Sequence, residues 1–370
     1  MRIAVYPHND VSGIDTYTRG LATELAERGH EVHAIGDTPP ENDAVVWHRL
    51  SRESGLLPFK LRHLAAELSQ LVADIEPDIV HCATNVPSFL DVSPPVVGTA
   101  WFHPPNLWGA LYMAYRQDDE LNPGTALRVI QRAANHHYDT KAYDNVAVTV
   151  GVTEPLARAL ERNGYRAEYI PPGINRGHLP DSRPEYPGKN PIELAFVATN
   201  VDDPRKGFDK LVKAISILER EHDTSVRLHI VGDAGQRSRQ EVRRSRLRSD
   251  VTFHGFCSRE EVFSIVSSTN AFVAPSLYEE FGYMVLEALA KGVPIVASET
   301  HAFEDILRDG GGEIRDIRSP AEFAGGIVRV ATDEDSWNEY SRQALNVVER
   351  RYTWETVSEQ IESLYRSVRA

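Results

Sequence analysis

A chain of 370 residues with 41% hydrophobic and 8% aromatic content is too long for one ordinary core and comfortable for two domains. Forty basic residues against 54 acidic ones give a formal charge of -14, which argues against a nucleic-acid or other general polyanion binder. Only two cysteines occur, Cys82 and Cys257, far apart in sequence, which argues against a disulfide framework and a cysteine-based metal site and suits a reducing cytoplasm.

The N-terminal half alternates short β-branched runs with amphipathic stretches. RIAVY (2–6) reads as a first strand, not as the apolar core of a signal peptide. TYTRGLATELAERG (16–29) follows as a helix, with Leu21, Ala22, Leu25 and Ala26 at helical spacing and Gly29 closing it. Strands are then predicted at EVHAI (31–35), AVVW (44–47), DIVHC (78–82), PVVGTAW (95–101) and NVAVTV (145–150). Alternating β and α implies a mostly parallel sheet covered on both faces. No apolar run approaches the roughly 18 residues needed to span a bilayer.

Six prolines between 171 and 191 break this pattern, and the linker is set at 176–191. The alternation restarts with ELAFVAT (193–199), a helix over 207–220, VRLHIVG (226–232), VTFHG (251–255), NAFVAPS (270–276), a helix ending at 291, and VPIVAS (293–298). From about Pro320 the pattern is helical throughout. The expected organisation is therefore an N-terminal domain (1–175), the linker, a C-terminal domain (192–350), and a last helix (351–370) returning to the first domain. Two doubly wound α/β domains facing each other make a cleft, with ligands bound beyond the carboxyl ends of the strands. PHNDVSGID, not GxGxxG, follows the first strand, which counts against an NAD(P) dehydrogenase.

The stretch PSLYEEFGYMVLEALAKGVPIVAS (275–298) carries the chemistry. Glu279 falls in a loop at a strand's carboxyl end, and Glu287 about a turn and a half inside the next helix. The pair reads equally as an acid/base couple, two metal ligands, two acceptors for a polyol, or helix surface. A helix start near Gly282 offers unpaired N–H groups that suit a phosphate, and Gly282 lets a ligand approach the backbone. Carboxylates beside a phosphate site make sense when the ligand also carries hydroxyls, as a nucleotide sugar does.

These residues strongly resemble the E-x7-E segment of the retaining glycosyltransferases of the GT-B fold, glycosyltransferase family 4 (group 1). KGFDKLVKAISIL (206–218), LHIVGDAG (228–235), VTFHGF (251–256), YIPPGIN (169–175) and SGIDTYTRGLATELAERGHEV (12–32) resemble further segments of the family. The resemblance implies two Rossmann-like domains and a C-terminal helical segment. It also implies transfer, with retention and without a metal or other cofactor, from a UDP- or GDP-linked sugar. The acceptor would be a glycan or lipid-linked intermediate in surface polysaccharide or glycoprotein assembly, and the protein cytoplasmic or peripheral at the inner face of the membrane. Glu287 would bind the ribose hydroxyls and Glu279 the hydroxyls of the donor sugar. Phe281, Gly282, Tyr283 and Met284 would meet sugar and diphosphate through their backbone. Lys206 would neutralise the leaving diphosphate, and Gly13 would face it from the first domain.

Two departures stand out. Thr199 or Asn200 occupies the place of the family's arginine in "fvGRl", leaving Arg205 as the substitute cation. Trp101 occupies the place of a histidine after "PVVxTx", with His103 two residues on and, by strand period, on the same face. A nucleotide-sugar-binding protein that has lost catalysis, or another GT-B activity such as a sugar-nucleotide epimerase, are the alternative readings. RSRQEVRRSRLRS (237–249), with six arginines, reads as a solvated basic helix or a contact to anionic headgroups. PPNLWGALYMAYRQ (104–117) reads as core or as an acceptor or membrane-interface surface.

Overall fold

The structure is a computed structural model that describes residues 1–7, 13–50, 57–84, 86–101, 137–138, 140–188 and 190–369. His103, the loop after the first strand up to residue 12 and the segment 104–117 lie outside the described residues. The chain divides into two compact units, Met1–Gly173 with Tyr352–Ala370, and Ile174–Arg351.

In the first unit, strands β1 (Arg2–Tyr6), β2 (Glu31–Gly36), β3 (Val45–Arg49), β4 (Ile79–Cys82), β5 (Val96–Ala100), β6 (Val148–Gly151) and β7 (Ala167–Tyr169) pair in the order β3-β2-β1-β4-β5-β6-β7. Every pairing is parallel. A central strand buried on both faces needs apolar residues at consecutive positions, and Ile3-Ala4-Val5 is that pattern. Helix α1 (Gly13–Glu27) and helix α2 (Leu57–Ile75) follow β1 and β3, and α3 (Glu154–Arg162) follows β6. From α2, Leu61, Leu64, Leu68 and Val72 close a core over Ala4, Ile35, Val80 and Val96. β7 was not expected from the sequence, and α1 starts and ends a few residues earlier than expected.

The second unit repeats the plan. Its strands β8 (Ile192–Asn200), β9 (Val226–Asp233), β10 (Asp250–Gly255), β11 (Ala271–Ala274), β12 (Ile295–Ser298) and β13 (Gly312–Arg315) pair, all parallel, in the order β10-β9-β8-β11-β12-β13. The helices are α4 (Phe208–Glu221), α5 (Gln236–Ser245), α6 (Arg259–Ser267), α7 (Tyr283–Ala290), α8 (His301–Ile306), α9 (Pro320–Ala331) and α10 (Glu334–Arg351). Phe208, Leu211 and Ile215 of α4 and Phe323 and Ile327 of α9 bury Leu194, Leu228, Ile230 and Val273. β13 was also unexpected. The sheet's order reverses between β8 and β11, so the loops leaving their carboxyl ends are neighbours. Among the described residues no helix is long and apolar enough to cross a membrane.

The last helix, α11 (Trp354–Arg369), belongs to the first unit and packs on α1. The Trp354 indole fills the space that a Cβ at Gly20 or Gly173 would take, and its ring lies 5.6 Å from Tyr17. Arg28, just after α1, pairs with Glu362 at 2.5 Å. Between them sits a fully buried polar cluster. His81 Nδ1 meets Tyr365 Oη at 2.7 Å and Nε2 meets Thr99 Oγ1 at 2.7 Å. Burial depresses the His81 imidazole to about 3 and pushes the Tyr17 and Tyr365 phenols up, so all three are neutral.

Tyr365→Phe keeps the ring but leaves a buried imidazole nitrogen unmatched, and is expected to cost about 1–3 kcal/mol in denaturant unfolding. An unchanged midpoint would show the hydrogen bond to be idle. Because the folded His81 value lies below the ordinary 6.5, its contribution is present above pH 6.5 and lost as the pH falls toward about 3. NMR titration should find its ring uncharged at pH 5.

Candidate active site

The loop after β8 is a compact turn fixed by its own side chains. Asn200 Oδ1 accepts from the Asp202 amide at 2.9 Å, and Asp202 in turn accepts from the Ser238 amide at 2.9 Å in the first turn of α5. Asp203 accepts from the Arg205 amide at 2.9 Å and is gripped by its guanidinium, with Nη2 to Oδ2 at 2.6 Å. Burial would push the Asp203 carboxyl up, but the Arg205 side chain and amide outweigh it and hold the group below the ordinary aspartate range.

Gly207 ends this turn at φ 67°, and a side chain there would collide with the Pro275 carbonyl oxygen. The close approach ties the loop after β8 to the loop after β11, as does the Leu277 amide donating to the Arg205 carbonyl at 2.7 Å. Lys206 and Glu279, distant in sequence, therefore meet with Nζ to Oε2 at 2.7 Å. Ser276 Oγ lies 3.4 Å from the same oxygen. Both members of the ion pair are partly open to solvent, with side-chain exposures of 26% and 19%.

Gly282 begins α7 at φ 92°, with Phe303 packed where a Cβ would stand. The Phe281 side chain turns into the core and meets Tyr283 edge-on at 5.3 Å, so its ring faces no ligand. Tyr283 and Met284 occupy the first turn, the positive end of that helix. Glu287 is 7% exposed. Its Oε1 accepts from Arg259 Nη2, and Lys291 adds a second positive charge. Burial nevertheless wins and pushes the Glu287 carboxyl above the ordinary glutamate value.

Lys206, Glu279 and the first turn of α7 thus come from two adjacent loops at the strand-order reversal, and Glu287 follows inside α7. Arg205 is in the same turn as Lys206, but its guanidinium is engaged by Asp203. Thr199 and Asn200, in the place expected for an arginine, are exposed at the end of β8. Gly13 belongs to the first unit, where it is the exposed first residue of α1. Trp101 is buried against Tyr17, ring centroids 5.4 Å apart. The sequence reading missed Arg259 and Asp203. The first had a signal, because Ser258-x-x-Glu261 is a capping box that puts Arg259 at the start of a helix. An anion, a diol and a neutralising cation can all be served by such a set of groups.

The sequence model of the family described as "Glycosyl transferases group 1" matches residues 183–347, and that described as "Glycosyltransferase Family 4" matches 11–178. A phosphatidyl-myo-inositol mannosyltransferase of Mycobacterium leprae is 31% identical over 264 residues, covering 66% of this chain and 69% of that protein. Sucrose-phosphate synthase from Thermosynechococcus elongatus has a similar structure (TM-score 0.76, 20% identity, 99% of this chain and 98% of that one). So has Anabaena Alr3699/HepE, solved in complex with UDP and glucose (TM-score 0.74, 17% identity, 99% and 100%). With one family model on each half, a mycobacterial relative across two thirds of its length and two parallel-sheet units of GT-B type, the chain belongs to the group 1 glycosyltransferases of family 4.

Proposed function

We propose that this glycosyltransferase moves a sugar from a nucleoside diphosphate sugar, UDP- or GDP-linked, with retention at the anomeric carbon and without a metal ion. The acceptor is a glycan or lipid-linked intermediate in surface polysaccharide or glycoprotein assembly. The observation that carries this reading is the Lys206–Glu279 ion pair beside the N-terminus of the helix that holds Glu287. The mycobacterial relative's name supports a lipid acceptor and puts mannose first among the sugars to test, and the Anabaena complex supports UDP.

The hard step is breaking the bond from the anomeric carbon to the leaving diphosphate oxygen, on which negative charge develops. Lys206 and the first-turn amides of α7 meet that charge. Glu279, the partner of Lys206 in the free protein, exchanges the ammonium for the hydroxyls of the bound sugar and so releases the cation to the diphosphate. Glu287 accepts the ribose hydroxyls. The leaving oxygen takes the proton from the acceptor hydroxyl attacking on the same face, so neither glutamate is needed as a nucleophile.

A second reading, nucleotide-sugar binding without turnover, draws on Arg205. Its guanidinium is committed to Asp203, so it reaches a diphosphate only by sharing that fork. Calorimetry beside a turnover assay over a broad acceptor panel separates the two readings.

Lys206→Ala is expected to lower kcat/KM about 10²- to 10³-fold, as loss of one stabilising donor does elsewhere. Glu287→Ala should weaken UDP or GDP binding roughly tenfold to a hundredfold in calorimetry. Unchanged nucleotide affinity in that variant, with no transfer or donor hydrolysis by the parent on UDP- and GDP-sugars, would sink the proposal. Glu279→Gln separates sugar from nucleotide: the free nucleotide should bind as tightly as before or more tightly, because Lys206 is released, while kcat/KM for the sugar nucleotide falls.

A further inference from the structure

We propose that Arg259 is the positioning residue for Glu287, holding the buried carboxylate charged and turning one oxygen toward the ligand's vicinal hydroxyls. The inference rests on the reading of Glu287 as the acceptor for the ribose diol.

Arg259 breaks a local rule. As the first residue of α6 it puts a positive charge at the positive end of a helix dipole, where Glu260 and Glu261 conform. The capping box through Ser258 and Glu261 forms regardless of which residue stands at 259. The helix start therefore gives no reason for arginine, whereas the carboxylate it reaches does. Its Nη2 donates to Glu287 Oε1, and Oε2 accepts from no described residue. The two oxygens are thereby divided, one held by the protein and the other left for a ligand.

Removing the guanidinium would leave a carboxylate in a site that desolvates it, and such a group takes up a proton. A protonated Glu287 accepts a diol poorly. The Arg259 side chain is 44% exposed, so water still reaches the guanidinium that faces Glu287. Its guanidinium carbon lies 5.5 Å from the Phe263 ring centroid, and Lys291 Nζ lies 4.7 Å from the same ring. His178 meets that ring edge-on at 4.8 Å, and burial first, then Arg259 and Lys291, depress its imidazole to about 4. Among the described residues two charges act on Glu287 itself, Arg259 from α6 and Lys291 at the end of its own helix. β11, β12 and α10 also pack on α7, and no charge from them acts on Glu287.

The test measures UDP and GDP binding to the full chain by calorimetry between pH 5 and 8.5, with the 2′-deoxy nucleotides alongside. In the parent, affinity should fall on the acid side as Glu287 protonates. Arg259→Met should move that fall upward by about one to three pH units and weaken binding about tenfold or more near neutrality. Arg259→Lys should restore most of both, and 2′-deoxy nucleotides should be much less sensitive to either change. In a Glu287→Gln background, Arg259→Met should add nothing. Arg259→Gln, with circular dichroism of every variant, ensures that a folded neutral substitution is measured. Coincident pH profiles for the parent and folded neutral variants would overturn the inference while leaving the nucleotide reading intact. So would equal losses for ribose and 2′-deoxy nucleotides, which would mean that Arg259 touches base or phosphate. If the parent binds neither nucleotide at any pH, the reading of Glu287 fails and this inference fails with it.

Discussion

The parallel pairing of β8 with β11 is the constraint on which the site depends. Leu194 and Ala195 stand beside Ala271 and Phe272, although the two segments are separated in sequence by two complete αβ repeats. Adjacent parallel strands deliver their carboxyl-terminal loops to the same edge of the sheet. The reversal of strand order at this point sends the following helices to opposite faces, which leaves the edge open. The turn carrying Lys206 and the loop carrying Glu279 then lie against each other, with Gly207 allowing backbone contact that no side chain could permit.

Electrostatics in this site is arranged as paired opposites at different depths. Lys206 and Glu279 are both partly hydrated, so exchanging one partner for a ligand costs each little. Glu287 is buried and is opposed by an exposed guanidinium, which keeps its own charge solvated while reaching inward. Arg205 and Asp203 satisfy each other and hold the backbone of the turn. A shallow pair exchanges readily, whereas a deep carboxylate with a surface-anchored partner stays in place. The proposed transfer from a charged donor draws on both kinds of behaviour.

The central strands and the long amphipathic helices were legible because burial on both faces forces consecutive apolar residues. Ala167–Tyr169 and Gly312–Arg315 were not, because each is a short strand at one edge of its sheet and carries the polar residues Glu168 or Glu313 and Arg315. The helical run after Pro320 was legible as helix and a separate last helix was expected from 351, where Trp354 begins one, yet the division at Thr332–Asp333 was not legible. In the site, the family motif carried Glu279 and Glu287, but nothing local told that Lys206 would meet Glu279 or that Arg259 would reach Glu287. Those pairings depend on which strands become neighbours. Asp203 was readable in principle, since Asp-Pro-Arg favours a side-chain-capped turn, but the pairing with Arg205 had no motif to announce it.

The return of α11 to the first unit has a consequence for biogenesis. The N-terminal unit is discontinuous, and its helix α11 leaves the ribosome only after the whole second unit has been made. A nascent chain that stops short of Trp354 has an unfilled surface over Gly20 and Gly173, and a buried His81 nitrogen with no phenol opposite it. Translation therefore finishes the second unit before the first can close. Whether α11 has been made is thus recorded in the packing of the oldest part of the chain, and a chaperone or protease probing that face would be reading the arrival of that helix.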